Sequence, residues 1–269
     1  MRPDGASAEA GPGVSTLGPL WGSRLLSGER GIFMETAGKT RWQEGLSNEL
    51  DHWRIWLSGG PEAFAGGGFN DYEWRTSPDS DLRNQPHLTR NLEPFAPERS
   101  TVRILDVGAG PLTCVGKQWP GRTVEITPVD PLADRYNGLL AELDLTPLVA
   151  TQDAEVEKLS EVFPVDHFDL VYCQNALDHV YDPVLGTRQM LEVVKPGHAV
   201  VLMLNVNEGE RENYYGLHQW NFCREGDALV VWNHDGRVNL NEELSGIAEV
   251  RFEPESTETL MIVSLDKKA

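Results

Sequence analysis

Between residues 101 and 205, apolar runs of strand length alternate with stretches of helical spacing. TVRILDV is apolar almost throughout, as a strand buried on both faces requires. RTVEITPV, TPLVA, FDLVYC and HAVVLMLN follow it as further strands. Between them, PLADRYNGLLAEL and DPVLGTRQMLEVV set apolar residues three and four apart. Strands separated by crossover helices of this length predict a parallel sheet with helices on both faces. The end of the chain reads differently: ALVVWNHDGRVNL predicts a hairpin about Asp235-Gly236, and IAEVRFE and ETLMIVSLD an antiparallel finish. Upstream, Trp42, Leu46, Leu50, Trp53, Ile55, Trp56 and Leu57 predict an amphipathic helix ended by Gly59 and Gly60. The glycine run Gly66 to Gly68 breaks the chain, and the polar stretch after it predicts one short helix near residue 90.

Residues 1–38, rich in Gly, Ala, Ser and Pro, read as a flexible tail, 39–98 as a helical lid, and 99–269 as the main domain with an insertion at 205–245. With 269 residues, 40% of them hydrophobic, the chain can bury a sizeable core. The net charge of -19 repels phosphate backbones and anionic membranes, so no nucleic-acid or membrane partner is expected. No apolar run approaches the roughly 18 to 20 residues of a membrane span, and the first residues lack the features of a signal peptide. A cytoplasmic protein, monomeric or homodimeric, is expected. Cys114, Cys173 and Cys223 form no CxxC pair and read as small apolar residues, so neither a disulfide nor a metal is expected of them.

The strongest local signal is ILDVGAGPLT, where a buried strand runs into Gly108-x-Gly110 and then Pro111, which suits the start of a helix. A dinucleotide fingerprint wants a third small residue where Thr113 stands. Asp106, two residues before Gly108, would face a pyrophosphate unfavourably but suits a ligand carrying an ammonium and a sulfonium. Charge complementarity therefore favours S-adenosylmethionine. Asp130, at the end of the second strand and 20 residues past Gly110, suits the two ribose hydroxyls, with a helix N-cap as its alternative role. Asp153, past the third strand, suits the adenine amino group.

The series ILDVGAG, VDPLAD, QDAE, FDLVYCQNALDHVYDP and LEVVKPGHAVVLML resembles the motif order of class I S-adenosylmethionine-dependent methyltransferases. It is most similar to small bacterial members with an N-x-L-[ED]-H-V-x-D-P segment after the fourth strand. The resemblance covers residues 101 to about 205 and departs from the usual glycine loop at Leu112. It implies a Rossmann-like seven-stranded sheet of order 3-2-1-4-5-7-6 with strand 7 antiparallel, and S-adenosylmethionine as cofactor. It further implies that Ala109, Pro131, Ala154 and Asn175 lie along that cofactor. An enzyme methylating O, N or C of a small-molecule metabolite or natural product is expected. Two alternatives stay open: a non-catalytic S-adenosylmethionine-binding subunit, and a non-methylating enzyme on the same fold.

An oxygen or nitrogen acceptor needs its proton removed, and the candidates are Asp178 and His179 after the fourth strand, and His218 or else Glu208 in the insertion. For Asp178 and His179 the plainer reading is loop structure. Related enzymes with Glu-x-x-Glu-His at this place bind a metal, but Asn175 replaces one carboxylate, so none is expected here. Tyr214, Tyr215 and Trp220 are candidates for an aromatic acceptor pocket or for packing on the sheet, and Trp53 for lid contact or core.

Overall fold

The computed structural model describes residues 27–59 and 71–269, with side chains from residue 39 onward. The expected tail up to residue 26 and the glycine run 66–68 lie outside the described residues, while residues 27–38 open the first helix. The strands among the described residues are β1 (Thr101–Val107), β2 (Thr123–Val129), β3 (Phe168–Gln174), β4 (Val194–Asn205), β5 (Asn221–Glu225), β6 (Ala228–Asn233), β7 (Gly236–Asn239), β8 (Ala248–Phe252) and β9 (Leu260–Lys267). The helices are α1 (Ser27–Gly59), α2 (Tyr72–Thr76), α3 (Pro86–Leu92), α4 (Ala133–Glu142), α5 (Leu159–Val162), α6 (Pro183–Val193), α7 (Glu208–Arg211) and α8 (Leu240–Glu243). No helix among the described residues is long and apolar enough to cross a membrane.

Six strands form the main sheet in the order β2-β1-β3-β4-β9-β8. β2, β1, β3 and β4 run parallel, and β9 enters antiparallel between β4 and β8. This is a mostly parallel Rossmann-like sheet with one edge strand fewer than expected. TPLVA forms no strand, and only an isolated bridge joins Val129 to Gln152. The backbone explains the loss: Pro128 in β2 and Pro147 in the segment both lack a donor, and Leu148 stays 48% exposed. The predicted hairpin exists as β6 and β7, and β5 adds a third strand to that small sheet.

A second departure follows the glycine loop. Residues 111–121 form turns rather than a helix. There, Leu82 donates its N–H to Gln118 O and Lys117 donates to Ser80 O, while a Cβ on Gly116 would lie 2.6 Å from the Leu82 backbone. The 80–85 segment thus takes the place and the hydrogen bonds of the missing helix.

α6 starts as the sequence dictates: Asp182 caps it by accepting from Val184 and Leu185 N–H, and Pro183 fills the first position. One face of the sheet buries Leu105, Val171, Val200 and Val263 against α6 residues such as Met190 and Leu191; the other buries Ile104, Tyr172 and Val201 against Leu88 and Leu92 of α3. α1 joins through its own apolar stripe. Trp56 and Leu57 pack on Leu139 and Leu140 of α4, and Trp42 packs on Tyr181 and Leu217.

Candidate functional site

The parallel register of β1 and β3 pairs Val107 with Cys173, which sets Gly108 beside the turn that follows β3. Gly108 and Gly110 have φ of +68° and +64°, a region costly for any side chain. A Cβ on Gly108 would stand 2.3 Å from Ala176 Cβ, and one on Gly110 only 2.6 Å from the Trp53 ring. Asn175 also takes a positive φ, which Asn tolerates better than most residues. These backbone ends enclose a cavity of about 420 Å³ at the carboxyl edge of the sheet, where ligands of open α/β sheets bind.

One wall holds Gly108, Ala109, Gly110, Asp130, Pro131, Ala154 and Asn175. Asp130 accepts from Gly110 N–H at 3.2 Å and Leu132 N–H at 2.9 Å, so it caps the turn and lines the cavity at once. Burial pushes its carboxyl up to about 7, against the opposing effect of those two bonds. Asn175 Oδ1 is buried without a hydrogen-bond partner among the described residues.

The opposite wall comes from α1 and from the segment after β4: Trp42, Glu49 and Trp53, then Glu208, Tyr215 and His218. Trp53 donates Nε1–H to Glu49 Oε1 at 2.7 Å. Gly45 lets α1 approach Gly216 and Leu217, since a Cβ there would lie within 2.9 Å of both. His179 lines the same space. His218 Nδ1 stands 2.8 Å from Asp178 Oδ2 and 3.1 Å from His179 Nε2, so residues about forty apart in sequence meet at one ring nitrogen. Burial alone would lower the His218 pKa, but the Asp178 bond and charge, with Glu208 and Glu212 behind them, raise it above 6.5. One ligand atom each from Asp178, His179 and His218 lies within 4.8 Å of the others, close enough to share a metal ion.

Other expected residues lie elsewhere. Asp106 sits behind the glycine loop, 1% exposed and outside the cavity wall, accepting from Thr113 Oγ1 at 2.6 Å. Burial pushes it up to about 6. It secures the loop from below instead of facing a ligand. Asp153 is exposed and outside the wall, where Glu155 and Glu157 stand instead. Tyr214 accepts from Asn221 Nδ2 and packs on His234; Trp220 donates to Val180 O and packs on the core; neither lines the cavity. Asp178 backs His218 without lining it.

Sequence reasoning missed Arg75. It is 5% exposed and donates to Asp71 Oδ2 and to Leu112 O, both at 2.7 Å, with its guanidinium beside the Trp53 and Trp56 rings. A buried charge in a polar stretch has no hydropathy signal. Glu49 was equally unmarked, a polar position on a helix read for its apolar stripe.

Residues 105–202 match a family described as a methyltransferase domain. Over that segment the chain is similar to class I S-adenosylmethionine-dependent methyltransferases. A tRNA U34 carboxymethyltransferase of Idiomarina loihiensis is 28% identical to this chain over 200 residues, 70% of this chain and 57% of that protein. The chain thus matches little more than half the length of that relative. A solved S-adenosylmethionine-dependent methyltransferase from Clostridium acetobutylicum is similar over 83% of this chain and 100% of its own, at 11% identity and a TM-score of 0.43. The citrinin polyketide synthase CMeT domain is similar over 69% of this chain and 52% of its own, at 19% identity and a TM-score of 0.47. S-adenosylmethionine is the cofactor that the sequence leads one to expect. The site fits it, with a side-chain-free glycine cradle, a buried carboxylate at the end of β2, and an orphan Asn175 oxygen able to accept from an ammonium.

Proposed function

We propose that this chain is a methyltransferase acting on a small molecule enclosed between α1 and the sheet, with His218, backed by Asp178, as its base. The observation that carries the reading is the single cavity shared by the glycine loop, α1 and both histidines. Its volume lies in the range of small-molecule sites. When bound there, S-adenosylmethionine supplies an electrophilic methyl group. The glycine loop and Asp130 would hold its adenosyl part, and Asn175 its ammonium. Asp130→Ala is expected to weaken S-adenosylmethionine binding by roughly 1 to 3 kcal/mol, measured by calorimetric titration; unchanged affinity would remove Asp130 from the site.

Asp178 accepts the Nδ1 proton of His218, which leaves Nε2 as the lone-pair nitrogen and stabilises the imidazolium formed when it takes a proton. α1 acts as a lid, its Trp53 ring lying over Gly110 and its Gly45 seated on the insertion loop. Because the His218 pKa is raised, the acid limb of the rate profile should fall above pH 6.5, the deprotonated base being lost as pH drops through it. Asp178→Asn removes the raising partner, so it should move that limb to lower pH and slow the reaction about 100-fold or more. A limb that does not move would exclude His218 as base.

The likeness to a tRNA-modifying enzyme raises a second reading. Against it stand the net charge of -19 and a cavity wall bearing Glu49, Glu155, Glu157, Glu208 and Glu212, all unfavourable to a phosphate backbone. Tritiated-methyl S-adenosylmethionine incubated with a bacterial metabolite extract and, separately, with total tRNA distinguishes the two. Label is expected in the small-molecule fraction, and label in tRNA would overturn the proposal.

A further inference from the structure

The acceptor half of the cavity has a one-sided charge. Its wall carries Glu49, Glu208 and Glu212 beside His179 and His218. Among the described lining residues the only lysine or arginine is Arg75, whose guanidinium is already bound to Asp71 and the glycine-loop carbonyls. Glu208 is neutralised in part by Arg211 at 3.0 Å. Glu49 accepts from Trp53 Nε1, and its ion partner among the described residues is the imidazole of His179 alone, at 3.8 Å; Glu212 makes no ion pair among them. An acceptor bearing phosphate or carboxylate would meet two unneutralised carboxylates and no available cation. A protonated amine would meet the reverse.

The aromatic lining points the same way. Trp42 is buried in the wall, whereas Tyr215 lines it with 69% of its surface exposed and no ring stacked on it among the described residues. An exposed aromatic beside unpaired carboxylates is the environment in which an organic ammonium gains both charge pairing and ring contact.

We propose, resting on the small-molecule reading above, that the acceptor is an amine on an apolar or aromatic skeleton, held as its ammonium by Glu49 and Glu212 with Tyr215 and Trp42 against the skeleton. The ammonium proton passes to His218 Nε2. The freed nitrogen lone pair then forms the N–C bond while the S–CH₃ bond breaks with its electron pair going to sulfur, leaving S-adenosylhomocysteine. Glu49 lies on α1, so the helix that closes the cavity also brings the charge that selects the acceptor.

The test uses the full chain saturated with S-adenosylhomocysteine. Matched sets (2-phenylethylamine, 2-phenylethanol and phenylacetate; tryptamine, tryptophol and indole-3-acetate) are compared by thermal shift and calorimetry. Amines are expected to bind at least tenfold tighter than their alcohol and carboxylate partners. The double variant Glu49→Gln, Glu212→Gln should erase that preference while the affinity for S-adenosylhomocysteine stays within twofold. Alcohols or carboxylates that equal the amines, amines that do not bind, or a preference that survives the double variant would overturn the proposal. Failure of the small-molecule reading would show separately, as label in tRNA in the transfer experiment.

Discussion

Arg75→Ala is expected to destabilise the protein by about 3 kcal/mol, lowering its Tm by roughly 6 to 10 °C. The side chain is 5% exposed and bonds to Asp71 and to Leu112 O, so its removal strands a carboxylate and a loop carbonyl. The figure sits at the low end for a broken buried pair because Asp71 keeps 26% of its side chain exposed. Arg75→Lys should recover less than half of the loss, since an ammonium cannot present the fork that serves both partners. Since the glycine loop hangs on the Leu112 bond, S-adenosylmethionine affinity should fall with stability. A variant as stable as the parent in thermal denaturation would show that Arg75 is a passive filler.

Gly110→Val acts on binding more than on folding. At φ +64° a β-branched residue costs roughly 1 to 3 kcal/mol of strain, and its Cβ would meet the Trp53 ring at 2.6 Å. The ring must leave its place over the loop, taking part of the cofactor wall with it. Calorimetric titration should show S-adenosylmethionine binding weakened at least 100-fold in a protein that still unfolds cooperatively. Trp53→Ala combined with Gly110→Ala should bind better than Gly110→Ala alone, because the clash is with that ring. Equal affinities would mean that backbone strain, not the ring, does the damage.

Asp130 couples binding to stability in the opposite sense. Burial holds its folded pKa near 7 against 3.8 when free, so its charge costs stability progressively as pH rises from about 4 to 7, and fully above that. Asp130→Asn should therefore raise the melting temperature of the ligand-free protein, by more at pH 8 than at pH 4, while weakening cofactor binding. A gain that shrinks with rising pH would contradict the assignment.

Most of the sheet was legible because buried parallel strands leave long apolar runs: TVRILDV, FDLVYC and HAVVLMLN all became strands. TPLVA carried the same signal and failed for want of donors, since Pro128 and Pro147 have no N–H to give. The helix expected after Gly110 was lost to a tertiary competitor, the 80–85 segment, which local spacing cannot reveal. In the site, the structure brings Gly108, Gly110, Asp130 and Asn175, all expected along the cofactor, to one cavity wall. Asp106 was legible as a residue of the strand before the loop but not in its direction: Thr113, read only as a departure from the dinucleotide pattern, is the partner that draws it behind the loop. The pairing of Asp178 with His218 depends on how the insertion folds back, and no local pattern encodes a contact across forty residues.

The most direct test of the whole account is a parallel calorimetric titration of the folded protein with S-adenosylmethionine, S-adenosylhomocysteine, NAD and unfractionated tRNA. The account predicts one site of micromolar affinity for each adenosyl ligand and no binding of NAD or tRNA. Absence of adenosyl binding, or binding of tRNA at physiological salt, would contradict it.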